Sequence, residues 1–99
     1  MANGFKIRWT DHALAELSNT VDYLEANWSE NEIIQFANAV DNTVEIISRH
    51  PEIFPLSGRK KNTRKAVVDK NNTIYYRIRS GSIQILSVFG TKQSPTKIK

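Results

Sequence analysis

Few side chains in this 99-residue chain can carry chemistry, and most of them are cations: Lys and Arg count 14 against 10 Asp and Glu. There are two histidines, His12 and His50, and neither has a carboxylate or hydroxyl neighbour at triad spacing. His12 and Glu16 lie four apart on one helical face, but two ligands without a third do not make a metal centre, so no metal is expected. Paired-carboxylate hydrolysis needs two acids in one cleft, whereas the acids here fall along solvated helical faces. Gly58, Gly81 and Gly90 are isolated and form no phosphate-cradling loop, and no cofactor is expected. The absence of cysteine excludes a disulfide scaffold, a Cys nucleophile and a zinc finger. If there is chemistry, Arg and Lys would stabilise a charged phosphoryl group, with Tyr75 moving a proton.

Those cations are unevenly placed. Residues 1–57 carry a net charge of −6 and residues 58–99 a net of +10, which together give the formal +4. Such a split predicts one acidic and one basic surface on one body. Hydrophobic residues are 39% and charged residues 24%, a globular composition rather than a disordered one. The length suits a single domain over 1–99. No apolar run approaches the roughly 20 residues that span a bilayer, and Met1 to Arg8 hold no apolar segment that marks export. A cytoplasmic protein without a membrane partner is expected.

The elements that must position the cations can be read from periodicity. Phe5-Lys6-Ile7-Arg8-Trp9 alternates as a half-buried strand over 5–9. Thr10 and Asp11 start a helix over 10–28, with Leu14, Leu17, Val21, Leu24 and Trp28 on one face. Ser29 and Glu32 fit a capping box for a second helix over 29–50, striped by Ile33, Phe36, Ala37, Val40, Val44 and Ile47 and ended by Pro51. A loop over 51–63 precedes a three-stranded antiparallel sheet over 64–89, and a tail covers 90–99. The predicted fold is α+β, in the order β-α-α-β-β-β. An antiparallel helical hairpin packs on one face of a small, mainly antiparallel sheet.

Two-residue turns then set the strand registers. With Asn71-Asn72 as the first turn, Val68 opposes Tyr75, Ala66 opposes Arg77 and Arg64 opposes Arg79. With Ser80-Gly81 as the second, Ile78 faces Ile83, Tyr76 faces Ile85 and Arg77 faces Gln84. The helix-covered face is then Val67, Ile74, Tyr76, Ile78, Ile83, Ile85 and Phe89, completed by Phe5, Ile7 and Trp9. The bare face carries Lys6, Arg8, Arg64, Tyr75, Arg77, Arg79 and Gln84. Like charges opposed across a sheet cost stability, so this crowding favours a partner that supplies negative charge. The bland alternative is that the cations splay into water from strand ends.

The segment from Trp9 to Leu17, with Tyr23-Leu24-Glu25, is similar to the first helix of RelE/ParE superfamily toxins of bacterial type II toxin–antitoxin modules. Ile46-Ile47-Ser48-Arg49-His50-Pro51-Glu52 resembles the end of their second helix. The strands Ile74-Tyr75-Tyr76-Arg77-Ile78 and Ile83 to Phe89 resemble their closing hairpin, and Phe89 to Pro95 their C-terminal stretch. The resemblance implies a toxin neutralised by a cognate antitoxin, which wraps it with an extended, often acidic segment in a hetero-oligomer. RelE-like members cut messenger RNA on the ribosome with Lys, Arg and a C-terminal His or Tyr, whereas ParE-like members block DNA gyrase. Arg64 and Lys92 could match RelE-like positions, yet no His or Tyr follows Tyr76.

The leading expectation is therefore a ParE-like toxin that inhibits DNA gyrase by binding. Its target- or antitoxin-binding surface would be Lys6, Arg8, Arg64, Tyr75, Arg77, Arg79, Gln84 and Lys92. The first alternative is a ribosome-dependent endoribonuclease with Arg64, Arg77, Arg79 and Lys92 around the scissile phosphate of the messenger. The second is an inactive toxin fold kept as an interaction module.

Overall fold

The computed structural model describes residues 4–27, 29–58 and 60–90. Strand β1 (Lys6–Trp9) leads into helices α1 (Asp11–Asn27) and α2 (Glu30–Arg49), followed by strands β2 (Arg64–Asp69), β3 (Asn72–Arg79) and β4 (Ser82–Gly90). The sheet order is β1-β4-β3-β2, with β1 parallel to β4 and the other pairs antiparallel. This is the α+β arrangement that the periodicity predicts. Trp28, Arg59 and the tail from residue 91, including Lys92, lie outside the described residues.

Local chemistry accounts for the helix starts. Thr10 caps α1, its hydroxyl accepting the Ala13 N–H at 3.1 Å. Ser29 caps α2 in extended backbone, and its hydroxyl accepts the Glu32 N–H. The core lies between the helices and one sheet face, where Ala13, Phe36, Val40, Ile47, Ala66, Ile74, Tyr76, Ile83, Ile85 and Val88 are buried. On α1 the predicted Leu17, Val21 and Leu24 pack against the core, while Ala13 and Thr20 are the enclosed residues and Leu14 is exposed. The short Ala13 side chain lets α1 approach the sheet closely.

The β3–β4 hairpin has the predicted register through Arg77↔Gln84, Ile78↔Ile83 and Tyr76↔Ile85. Ser80 and Gly81 both have positive φ, the requirement of a tight primed turn. Beyond Tyr76 a bulge at Leu86 shifts the pairing to Tyr75↔Ser87 and Ile74↔Val88. Val88 is therefore buried and Phe89, expected in the core, is exposed.

The β2–β3 register departs further from expectation. The turn is Lys70-Asn71, not Asn71-Asn72, because the Asp69 carboxylate accepts the Asn71 N–H at 2.8 Å and the Asn72 side-chain amide at 3.1 Å. Arg64 pairs with Tyr76, Lys65 with Tyr75, Ala66 with Ile74 and Val67 with Thr73. That turn alone shifts the register by two and would keep each face of β2. A bulge at Val68, between Val67↔Thr73 and Asp69↔Asn72, adds the odd residue that inverts the strand, placing Ala66 in the core, exposing Val67 and abolishing the predicted opposition of Arg64 and Arg79.

Strand β1 stops at Trp9, which pairs with Ile85, and among the described residues the rest of that β4 edge has no neighbouring strand. Thr10 and Glu16 take over the edge. The Thr10 N–H and hydroxyl both donate to the Ile85 carbonyl, at 3.1 and 2.8 Å. Glu16 Oε1 accepts from the Val88 N–H at 2.8 Å and from the Ser87 hydroxyl at 2.7 Å. Hydrogen bonds to a charged acceptor are worth about 1.5–3 kcal/mol each before non-additivity. Glu16→Ala is thus expected to lower stability by about 2–3 kcal/mol, and Glu16→Gln, which keeps an accepting carbonyl, by about half as much. Urea unfolding of the two variants checks this.

Candidate functional site

The helix-free sheet face is built in cross-strand rows. Lys6 lies beside Ser82, which pairs with Arg79. Arg8 lies beside Gln84, which pairs with Arg77, and Arg77 Nε donates to Gln84 Oε1 at 2.8 Å. Four predicted cations thus share this face. Among the described residues the ion pairs are His12–Glu16 and Arg49–Glu45, so none of the four meets a carboxylate. The only polar side-chain partner in these rows is the neutral amide of Gln84, which orients Arg77 without cancelling its charge.

Arg64, predicted to join them, sits elsewhere. Inversion of β2 turns it toward the loop after α2, where its Nη1 donates to the Phe54 carbonyl at 2.7 Å. Opposite it, the fully buried Tyr76 donates its hydroxyl to the Pro51 carbonyl at 2.7 Å, and its ring meets Phe54 edge-on at 6.4 Å between centroids. Arg64 and Tyr76 together tie the 51–56 segment to the sheet. Pro55 then accepts the Lys65 N–H, and Leu56 bridges Arg64, which covers part of the outer edge of β2.

Tyr75 stays on the bare face, beside Lys65 rather than Val68. Here a groove of about 570 Å³ opens, lined by His12, Lys60, Lys65, Tyr75, Ser87 and Phe89 among others. Sequence reasoning missed Lys60, Lys65 and the participation of His12. The i,i+4 spacing of His12 and Glu16 was visible, but only the fold shows that Glu16 also grips β4 and so brings His12 to the sheet.

Residues 7–95 match the family described as the ParE toxin of the type II toxin–antitoxin system parDE. The chain belongs to the ParE toxin family. No curated protein matches it. Among solved structures it is similar to a chain of the chromosomal ParDE system of P. aeruginosa, with 14% identity, a TM-score of 0.76, and coverage of 90% of this chain and 98% of that one. It also resembles a chain of the E. coli DinJ–YafQ toxin–antitoxin complex, at 10% identity and TM-score 0.62, covering 90% and 94%. The YoeB dimer of Staphylococcus aureus is similar too, at 11% identity and TM-score 0.59, covering 86% and 94%. These likenesses establish the shared fold. In this ParE-family chain, no helix among the described residues is long and apolar enough to cross a membrane.

Burial pushes the Tyr76 phenol up from 10.0 to about 12, and the Arg64 guanidinium opposes part of that rise. A raised folded value means that the neutral phenol stabilises the fold in full below pH 10, and that this contribution is lost as pH rises toward 12. Alkaline titration of unfolding is expected to show this loss. Tyr76→Phe removes the Tyr76 component and costs about 1–2 kcal/mol at neutral pH by leaving the Pro51 carbonyl without its donor.

Proposed function

We propose that this ParE-family toxin acts by docking, with DNA gyrase as its target, and that a cognate antitoxin neutralises it by supplying negative charge to the helix-free face. The carrying observation is the pair of rows holding Lys6, Arg8, Arg77 and Arg79 without an internal carboxylate. An acidic extended segment laid across β1, β4 and β3 would meet all four. Guanidinium groups suit carboxylates because they donate in a planar fork, and Gln84 already holds one of them in place. Antitoxin and target then compete for one basic surface, which is a direct route to neutralisation.

The ribonuclease alternative required Arg64 beside Arg77 and Arg79. Commitment of Arg64 to the Phe54 carbonyl takes that residue out of the constellation and favours docking over chemistry. Lys92 lies outside the described residues and supports neither reading.

Arg77→Glu and Arg79→Glu are expected to keep the fold and to weaken antitoxin binding and growth arrest, each by roughly tenfold in affinity. Added salt should weaken the wild-type complex in the same direction. Purified toxin should inhibit gyrase supercoiling and accumulate cleaved DNA. Cleavage of messenger only when ribosomes are present would replace this reading with the enzymatic one, and unchanged affinity in both Arg variants would make the basic face a solubility feature.

A further inference from the structure

We infer that the helix-free sheet face also accepts a second copy of this chain, which docks head-to-tail through the outer face of its α1. Two charge sets of opposite sign lie on opposite sides of the domain. Among the described residues, each lacks an ionic partner within the chain.

The sheet side presents Lys6, Arg8, Arg77 and Arg79 in its two cross-strand rows. On the other side, α1 contains the acids Asp11, Glu16, Asp22 and Glu25 and no Lys or Arg. Glu16 is turned to β4, where the Ser87 hydroxyl and the Val88 N–H hold it. The other three acids are exposed. With Ala15 and Ser18, at spacings of four, three, four and three residues, they form one stripe. That stripe lies opposite the side of α1 that packs on the core through Ala13, Leu17 and Leu24. Asp11 sits in the first turn, where the positive end of the helix dipole favours it. Glu25 sits in the last turn, at the negative end, where no base stands, and Asp22 one turn earlier adds to that negative potential. A cation supplied from outside relieves it.

One copy cannot join the two sets. A helix diameter of roughly 10–12 Å separates the outer stripe of α1 from the sheet, and the cations stand on the far side of that sheet. Two copies can. Asp22 and Glu25, three apart on a helix, have Cβ atoms about 5–6 Å apart. Arg77 and Arg79, two apart on β3, repeat at about 6.8 Å, so each carboxylate meets one guanidinium fork. Ala15 and Ser18 are small and let the helix lie close to the strands. Because the two contacting faces differ, the contact is heterologous and continues beyond two copies. The net +4 of each copy opposes this at long range. At about 0.1 M salt, charges more than roughly 10 Å apart are screened, and the facing groups decide. Stacking uses the same basic rows as the docking reading but needs neither gyrase nor antitoxin. A stacked copy withdraws the surface its partners use, and an acidic partner segment releases it by competing for the rows.

The test is sedimentation equilibrium of the full chain at about 0.1 M salt, without gyrase or antitoxin, from about 10 µM to 1 mM. The wild-type weight-average mass should rise past two chains and fall back toward one in about 0.5 M salt. The sheet-reversed variant Arg77→Glu/Arg79→Glu and the helix-reversed variant Asp22→Lys/Glu25→Lys should each weaken association at least roughly tenfold, with wild-type circular dichroism. Each reversal changes the charge by two, so the first variant goes from +4 to 0 and the second to +8. Loss of association in both therefore excludes net charge as its cause. An equimolar mixture restores one competent contact, the native α1 of the first variant against the native sheet of the second. The reversed sheet keeps Lys6 and Arg8 and is close to neutral, so the mixture should level off at two chains.

A wild type that stays at one chain at the highest concentration would overturn the proposal, as would one that levels off at two, the mark of an isologous dimer. So would a mixture that remains at one chain, or association that rises in the sheet-reversed variant as its net charge falls.

Discussion

The edge of β4 beyond Ile85 is the constraint on which the site depends. A four-residue β1 cannot cover a nine-residue β4, and an uncovered strand edge leaves backbone donors without partners. The chain resolves this by turning into α1 at Thr10 and letting two side chains act as a substitute strand. Thr10 serves twice, capping the helix and bonding Ile85. Glu16, a turn and a half later, reaches the Val88 amide. One carboxylate therefore fixes the helix to the sheet, supports the bulge and holds His12 in place.

The bulge at Leu86 follows from the same arrangement. It exchanges the faces of the last β4 residues, so that Val88 fills the core and Phe89 stands outside. Without it, Phe89 would lie over the helices and the bare face would lose an aromatic wall. The groove is thus a consequence of how an edge was finished, with Glu16 stabilising the fold and shaping the surface together.

Sequence patterns were informative wherever local stereochemistry decided the outcome. Ser80-Gly81 offered a turn with two positive φ angles, and the adjoining register was correctly read from it as far as Tyr76. The helices were equally clear, because Thr10 and Ser29 are capping residues and the α2 stripe through Phe36, Val40 and Ile47 is regular. The Asn71-Asn72 pair misled because Asp69, just before it, offered a charged acceptor that built a different turn. The bulge at Val68 then moved Arg64 to the loop side and Lys65 into the groove. Nor does a single sequence mark the Leu86 bulge, beside which the Val88 N–H bonds a side chain 72 positions away. Candidate residues on β1, β3 and the start of β4 were therefore placed correctly, while those on β2 were not.

The charge asymmetry along the chain also acquires a spatial meaning. Acids concentrated before residue 57 populate the two helices, and the helices cover one face of the sheet. Of the bases after it, Arg64, Lys65, Arg77 and Arg79 lie on strands, and Lys6 and Arg8 of β1 join Arg77 and Arg79 on the sheet face that the helices leave open. Acids on the helices and cations on the open sheet face favour approach of anionic partners to the sheet side and discourage it on the helical side. Among the described residues no acid forms an ion pair with these cations. Arg77 is instead bonded to an amide, an arrangement that fixes its geometry and leaves its charge available. A face optimised for stability alone would have used Glu at position 84. Gln84 forgoes that ion pair and leaves the charge of Arg77 uncancelled.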